Sequence, residues 1–169
     1  MKKPADGPQT DYSPHATGSQ DRSKPNPLYA LPNLVTMDGF NTNPTGGFDP
    51  WLDAAATETV GNNVDAYTDN NSSQEDGLTP ASGDVRATTT SDKTFDRFYD
   101  ATKDPQYVDP NAPSPVFNDE QRKAAVTQLF YVNNWLHDYW YDSGFNEAAG
   151  NAQLSNLGRG GLEGDPLKV

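Results

Sequence analysis

Apolar residues are concentrated in residues 118–147, where they recur with a helical period. Asn118 is a favourable N-cap residue, Gln121 follows it as in a capping box, and Gly144 can end a helix in a left-handed conformation. The apolar positions between these limits are Ala125, Leu129, Val132, Leu136 and Tyr139, flanked by Val126, Phe130, Trp135 and Trp140. This stripe is too wide for a helix packed on one side. The pattern therefore predicts a long core helix over about 119–143.

Four polar residues interrupt this helix: Asn133, Asn134, His137 and Asp138. Buried polar groups need hydrogen-bond partners, because leaving one unpaired costs about 1–3 kcal/mol. One interpretation is that these side chains anchor neighbouring loops and strands, which gives His137 a structural role. The alternative is that His137 and Asp138 line a cleft. A two-histidine metal helix is excluded, because the residue four positions after His137 is Tyr141.

The remainder of the chain predicts short strands and loops. Residues 1–26 are polar without periodicity and predict an extended or disordered tail, in which His15 is solvated. Extended or alternating patterns predict strands at 56–60, 64–69, 84–90, 94–99 and 167–169. Four prolines in residues 104–115 predict a structureless approach to the helix. The predicted fold class is α+β, in one domain over 27–169 with short strands and loops packed on the helix.

Charge and composition exclude several classes of function. Lys and Arg total 12 and Asp and Glu total 24, so the formal net charge is −12. Nucleic acids and anionic membrane surfaces both require clustered basic residues, so neither is an expected partner. The chain has no cysteine, which excludes disulfides and thiolate metal sites. Pro4 and Asp6 follow Met1 where a signal peptide would become apolar, so a signal for secretion would lie outside this chain.

Residues 69–76 form an acidic, polar stretch that partly resembles a calcium-binding loop. The signature requires Gly at its sixth position and an acid at its twelfth, where this chain has Gln74 and Pro80. We therefore expect a solvated loop, with a calcium site as the alternative.

The residues needed for a complete active site are missing. There is no Gly-x-Ser-x-Gly elbow and no cysteine nucleophile. The Gly-rich residues 157–166 lack the Lys-Ser/Thr of a phosphate-binding loop. Asp138 and Asp142 are the only carboxylates placed on one helix face by their spacing, and such pairs are mostly solvated. We therefore assign no catalytic, cofactor-binding or metal-binding residue.

Several segments nevertheless resemble the fungalysin family of zinc metalloendopeptidases. The resemblance is strongest over 120–166 and rests on residues 125–138, on Gly144 to Asn151, and on Gly158-Arg159-Gly160-Gly161 followed by Gly164-Asp165. Residues 61–67 and 30–36 also resemble segments of that family. The chain departs from the pattern at Val60, where the family usually has arginine before the glycine.

The resemblance implies a secreted protease with a thermolysin-like architecture, of which this chain is the N-terminal subdomain. Zinc in that family is held by a His-Glu-x-x-His helix and a further downstream Glu, and none of these positions occurs here. The implied substrate is a protein or peptide, cleaved only when the C-terminal subdomain is present. This chain alone is expected to be inactive. The alternative is a self-standing, non-catalytic binding module derived from the same fold.

Overall fold

The computed structural model describes residues 37–70, 77–99, 106–107 and 116–169, all of which belong to a unit that begins at Met37. The elements in these residues are β1 (Val64–Asp65), β2 (Gln106–Tyr107), β3 (Val116–Phe117), α1 (Asp119–Asp142) and β4 (Leu167–Lys168), with 3-10 turns at Pro80–Ser82 and Glu147–Ala149. This arrangement confirms the predicted α+β class, with short strands and loops around one long helix. The predicted tail lies outside the described residues.

Helix α1 begins and ends where the sequence predicts. The Asn118 side chain accepts a hydrogen bond from the Gln121 main-chain N–H at 3.3 Å, and Asp119 and Glu120 lie in the first turn. Acidic side chains stabilise this end because the helix dipole makes it positive. The helix has 24 residues, and the main-chain N–H of Ser143 donates to the Trp140 carbonyl past its end. Gly144 follows with φ at 112°.

The orientation of α1 differs from the prediction. The predicted apolar stripe is substantially exposed, with Leu129 at 39%, Leu136 at 40% and Tyr139 at 49%. We call this side the outer face; its members are Ala125, Leu129, Val132, Leu136, Tyr139 and Trp140. The opposite side is buried, and we call it the inner face; its members are Ala124, Val126, Phe130, Asn134, His137, Asp138 and Tyr141. Of the predicted apolar positions, Val126 and Phe130 are buried in the core, whereas the central stripe from Ala125 to Tyr139 lies on the outer face, so α1 is a core helix on one side only.

The hydrophobic core lies under the first half of the inner face. Val126 and Phe130 contribute from α1, and Phe130 is fully buried beside the ring of Phe95. The other members of this cluster come from β1 and the loops around it: Leu52, Val64, Ala66 and Ala87. The main apolar cluster thus packs against the first half of the helix, and further along the helix Trp135 contacts the ring of Phe40 at 5.7 Å.

Strand β1 forms a two-stranded sheet with β4. It pairs in parallel with β4, with Val64 opposite Leu167 and Asp65 opposite Lys168. On its other side an isolated bridge joins Val60 to Asp65. Val64 is fully buried and Asp65 half-buried, which is the predicted alternation, although β1 is shorter than the predicted strand. The strand predicted at 167–169 corresponds to β4.

The other predicted strands appear only as isolated bridges. Glu58 pairs with Thr88, and Ser91 pairs with Thr94. Main-chain hydrogen bonds nevertheless hold these segments together, for example from Thr59 N to Ala87 O at 3.0 Å. The segment predicted to be structureless, 104–115, contains β2, which pairs antiparallel with β3. Backbone pairing can form there because a proline lacks only its own N–H donor, and the residues between the prolines can still make main-chain hydrogen bonds.

Candidate functional site

The buried carboxylate of Asp138 collects hydrogen bonds from three distant segments. Its Oδ2 accepts from the main-chain N–H groups of Phe40 at 2.8 Å and Asn41 at 3.3 Å. The same oxygen accepts from the indole Nε1–H of Trp51 at 2.8 Å, and Oδ1 accepts from Asn63 Nδ2 at 3.3 Å. Asp138 therefore fixes the loops before and around β1 against the second half of the inner face. This is the predicted anchoring role, and the cleft interpretation does not fit a fully buried side chain. Asn133 and Asn134, for which the same role was predicted, instead donate to the Leu129 and Phe130 carbonyls of their own helix.

Asp138 also belongs to a closed ring of five buried residues, which we call the polar ring; its members are His137, Asp138, Asn63, Gln153 and Asn151. His137 Nε2 lies 2.6 Å from the Asn151 carbonyl oxygen, and Asn151 Nδ2 donates to Gln153 Oε1 at 2.6 Å. Gln153 Nε2 donates to Asn63 Oδ1 at 3.1 Å, and Asn63 in turn donates to Asp138. His137 Nδ1 lies 3.1 Å from Asp138 Oδ1 and closes the ring.

A second cluster lies beside the polar ring and is centred on Arg159. Its guanidinium binds both carboxylate oxygens of Asp49, at 3.1 and 2.5 Å, and also donates from Nε to Glu147. Asp49 is 1% exposed and also accepts from the side chains of Asn41 and Asn43, each at 3.0 Å. Arg159 thus joins the Gly-rich loop to a segment 110 positions earlier. Paired hydrogen bonds between Arg and a carboxylate are among the stronger polar contacts in proteins.

The cluster around Arg159 shifts the ionisation of its members. Burial raises the pKa of Asp49 and of Glu147, but their hydrogen bonds together with the charge of Arg159 outweigh burial and leave both pKa values below the usual range; the partners are Arg159, Asn41 and Asn43 for Asp49, and Arg159, its own main chain and Tyr141 for Glu147. Burial, together with the hydrogen bond to Glu147, raises the pKa of Tyr141 to about 12. The phenol therefore stays neutral and donates to both oxygens of Glu147, at 2.8 and 2.9 Å.

Two glycines allow the main chain to approach closely at the junction, by which we mean the region where α1 meets the loops at 39–51, 61–63 and 151–159. A Cβ on Gly39 would lie 1.8 Å from the Asp49 carbonyl oxygen and 3.3 Å from Asp138 Oδ2. A Cβ on Gly61 would lie 1.9 Å from the Trp51 carbonyl oxygen. Both distances are far shorter than a van der Waals contact, so only glycine fits at these positions.

The other sequence-predicted residues do not join this junction in the same way. Asp142, paired with Asp138 by spacing, is exposed and accepts one main-chain hydrogen bond from Thr42 at 2.8 Å. Before the possible calcium loop, Asn70 donates through its main-chain N–H to Asp84 at 2.7 Å. Thr79, after the loop, donates to the same carboxylate at 2.8 Å. Residues 71–76 and His15 lie outside the described residues, so the calcium alternative stays a prediction.

Sequence reasoning did not single out Asp49, Glu147 or Asn63. Asp49 lies far before the helix and Glu147 lies shortly after it, and no local pattern connects either residue to Arg159. The one available signal was a single arginine inside a run of glycines, since a lone charge in a flexible loop often requires a fixed partner. Asn63 stood within a predicted turn, where asparagine is common for local reasons.

The described ranges contain no group of three or more His, Asp or Glu side chains placed to hold a metal ion. Over the same ranges, α1 included, no helix combines the length and apolarity needed to cross a membrane. What the geometry supplies is a rigid polar junction that joins the helix to the loops at 39–51, 61–63 and 151–159.

Comparison with known proteins assigns this scaffold to a family. The profile described as "Fungalysin metallopeptidase (M36)" matches residues 13–169. The chain belongs to the fungalysin metallopeptidase family. This confirms the resemblance inferred from the central helix and the Gly-rich loop.

Individual relatives match shorter segments of this fungalysin-family chain. "Probable extracellular metalloproteinase 4" of Trichophyton verrucosum (strain HKI 0517) is 46% identical over 56 residues, which are 33% of this chain and 9% of that protein. "Extracellular metalloproteinase 4" of Arthroderma gypseum (strain ATCC MYA-4604 / CBS 118893) is 57% identical over 44 residues, 26% of this chain and 7% of that protein. The protein of the same name from Trichophyton soudanense is 54% identical over 44 residues, 11% of its length. The matched segments are thus a small part of these relatives.

Proposed function

We propose that this chain is the N-terminal part of the catalytic domain of a secreted, zinc-dependent metalloendopeptidase that cleaves proteins or peptides. The observation that carries the proposal is the family match over residues 13–169, combined with relatives named extracellular metalloproteinases. In such an enzyme zinc supplies a water molecule activated for attack on the peptide bond. The described residues would contribute a rigid wall of the domain rather than groups that react.

The residues of this chain do not fit a catalytic zinc site. The sequence contains two histidines, His15 and His137, and no His-Glu-x-x-His motif. His137 is 2% exposed, and both of its ring nitrogens already face hydrogen-bond partners, Asp138 and Asn151. Zinc binding at His137 would require breaking the polar ring. The zinc ligands of the proposed enzyme therefore belong to the C-terminal subdomain, and this chain alone is inactive.

The outer face of α1 supports the need for a second subdomain. Residues 124–137 contain no Asp, Glu, Lys or Arg, in a chain whose net charge is −12. Trp140 is 55% exposed and Tyr139, at 49%, stacks on Trp135 at 5.6 Å. A contiguous uncharged apolar surface of this kind marks an interface rather than a solvated side. We propose that the C-terminal subdomain covers it.

The test is to compare the 169-residue chain with a longer product of its reading frame. We expect the purified chain to leave casein intact, and the longer product to cleave casein in a manner that a zinc chelator abolishes. A matched control replaces the Glu of the downstream His-Glu-x-x-His motif by Gln in the longer product. Chelator-sensitive turnover by the short chain would refute its predicted inactivity. A stop codon directly after Val169 would instead favour the non-catalytic binding module.

A further inference from the structure

The polar ring contains one buried group whose charge is not set by its residue type, the imidazole of His137. We infer that His137 is the doubly protonated imidazolium and forms a buried ion pair with Asp138. The two residues thereby act as a pH-sensitive latch between α1, the loop at 39–51 and the segment at 151–153. This inference rests on hydrogen-bond geometry and is independent of the proposed enzymatic function.

The first step concerns the nitrogen that faces the main chain. His137 Nε2 lies 2.6 Å from the carbonyl oxygen of Asn151. A main-chain carbonyl oxygen can only accept a hydrogen bond, so Nε2 must carry a proton. A bare nitrogen lone pair at this distance would face an oxygen lone pair in a buried site.

The second step concerns the nitrogen that faces Asp138. The carboxylate of Asp138 accepts four hydrogen bonds, from Phe40 N, Asn41 N, Trp51 Nε1 and Asn63 Nδ2. These donors favour the ionised carboxylate, which has no proton to give to His137. Nδ1, 3.1 Å from Asp138 Oδ1, must therefore supply the proton of that contact. Both ring nitrogens are then donors, which is the imidazolium form.

The surrounding charges favour a cation at this position. Tyr141 packs against the imidazole with ring centroids 6.4 Å apart and stays neutral, since its pKa is raised to about 12. Beyond it lie the carboxylates of Glu147 and Asp49, which share the single guanidinium of Arg159. The contact between Asp138 and His137 is an ion pair only when His137 is protonated. A protonated His137 thus balances a carboxylate that is completely buried, which is otherwise a costly arrangement.

The consequence is a coupled opening of the junction when the proton is lost. A neutral His137 that keeps its Nε2–H would turn the Nδ1 lone pair towards the Asp138 carboxylate. Asp138 would then be a buried anion without a counterion, and its hydrogen bonds to the loop at 39–51 would weaken together. The indole N–H of Trp51 reports on this directly, because it donates to Asp138 Oδ2.

The experiment is nitrogen-15 NMR of the imidazole rings in the 169-residue chain. At neutral pH we expect both His137 nitrogens to show the chemical shifts of protonated nitrogens, with slowly exchanging N–H signals. His15, the second histidine in the sequence, is the internal control, and His15→Gln assigns the two sets. A His137 ring with one unprotonated nitrogen at neutral pH would overturn the inference.

A pH titration of the same sample tests the latch. On raising the pH we expect the Trp51 indole signal and the Phe40 amide signal to shift in step with the loss of the His137 Nδ1 proton. In the His137→Gln variant, which cannot titrate, this shared step should disappear. If that variant does not fold, the titration of the wild-type chain is the test. A Trp51 indole signal that does not shift while His137 loses its Nδ1 proton would refute the latch.

Discussion

In an ordinary amphipathic helix the apolar face is buried and the polar face is exposed, whereas the second half of α1 shows the reverse. Over the second half of the helix the inner face buries Asn134, His137 and Asp138, whereas the outer face exposes Leu136 and Trp140. His137 and Asp138 are inside because they hydrogen-bond the main chain and side chains of loops that have little regular structure, whereas Asn134 donates to the Phe130 carbonyl of its own helix. The apolar residues are outside because nothing in the described part of the chain covers them. The helix therefore has two contact surfaces. The inner face makes polar contacts within this chain, and the apolar outer face is exposed and can be covered by a partner.

This comparison separates two ways of stabilising a domain. Buried polar contacts contribute little net free energy when every partner is present, but the loss of one partner leaves several groups unpaired. Exposed apolar side chains contribute little to the unit that carries them and much to whatever covers them. Substitutions on the two faces should therefore affect different measurements.

The largest effect is expected for Asp138→Asn, which removes the buried charge that four donors share. We expect the free energy of unfolding to fall by about 3–5 kcal/mol, as when one partner of a buried pair is removed. Urea denaturation followed by tryptophan fluorescence measures it. The matched control is Asp142→Asn, one helical turn later and exposed, for which we expect a loss below about 1 kcal/mol. Equal losses in the two variants would contradict the central role of Asp138.

The next effect tests the close packing of the inner side. Gly39→Ala would place a Cβ against the Asp49 carbonyl and next to Asp138, so we expect a loss of about 1–3 kcal/mol or more from forced backbone movement. Gly47→Ala is the control, because its Cβ would meet only the Asn43 side chain, 3.5 Å away. Thermal unfolding followed by circular dichroism compares the two. A Gly39→Ala variant as stable as Gly47→Ala would show that the loop can move away from the helix.

A smaller effect should appear in the dependence of stability on pH. The folded-state pKa values of Asp49 and Glu147 are lowered, so their contribution is complete above the ordinary carboxyl range, about pH 4. It is lost as the pH falls through the lowered values, because the unfolded chain then binds more protons. The free energy of unfolding measured from neutral to acid pH should therefore decline below about pH 4.

Replacing Arg159 identifies the origin of that decline. In Arg159→Gln the two carboxylates lose their partner, so the acid-side decline should become shallower while stability at neutral pH falls. Asp84, whose pKa is also lowered by hydrogen bonds that outweigh its burial, keeps its share of the decline in both proteins. An unchanged slope in the variant would assign the decline to Asp84 and other groups instead.

The smallest effect on stability is expected on the outer face. Leu136→Gln should change the free energy of unfolding by less than about 1 kcal/mol, because Leu136 is already 40% exposed. We also expect the isolated chain to self-associate through the uncovered outer face, and Leu136→Gln to reduce this self-association, measured by sedimentation velocity. The contrasting variant is Phe130→Ala on the inner face, where a fully buried ring is lost at about 3–5 kcal/mol. Similar losses of stability in both variants would mean that the outer face is covered within this chain.

The sequence alone determined the features that depend on local chemistry. Capping residues and helical periodicity predict where α1 begins, at the N-cap Asn118, and how long it is. Apolar and β-branched residues at 167–169 predict strand β4. Family membership also followed from sequence, since the helix and the Gly-rich loop carry a long, specific pattern. The anchoring interpretation of Asp138 followed from the cost of burying an unpaired carboxylate.

Only the tertiary structure decided which face of α1 is buried and which residues complete the junction. Helical periodicity defines an apolar stripe but not what the stripe packs against, so Leu129 and Leu136 were placed inside on pattern alone. Asp138 binds the Phe40 main chain across 98 positions, and Arg159 binds Asp49 across 110. Pairings over such separations depend on how the loops return to the helix, which no local pattern records. That is why the polar ring and the Arg159 cluster became visible only in the folded chain.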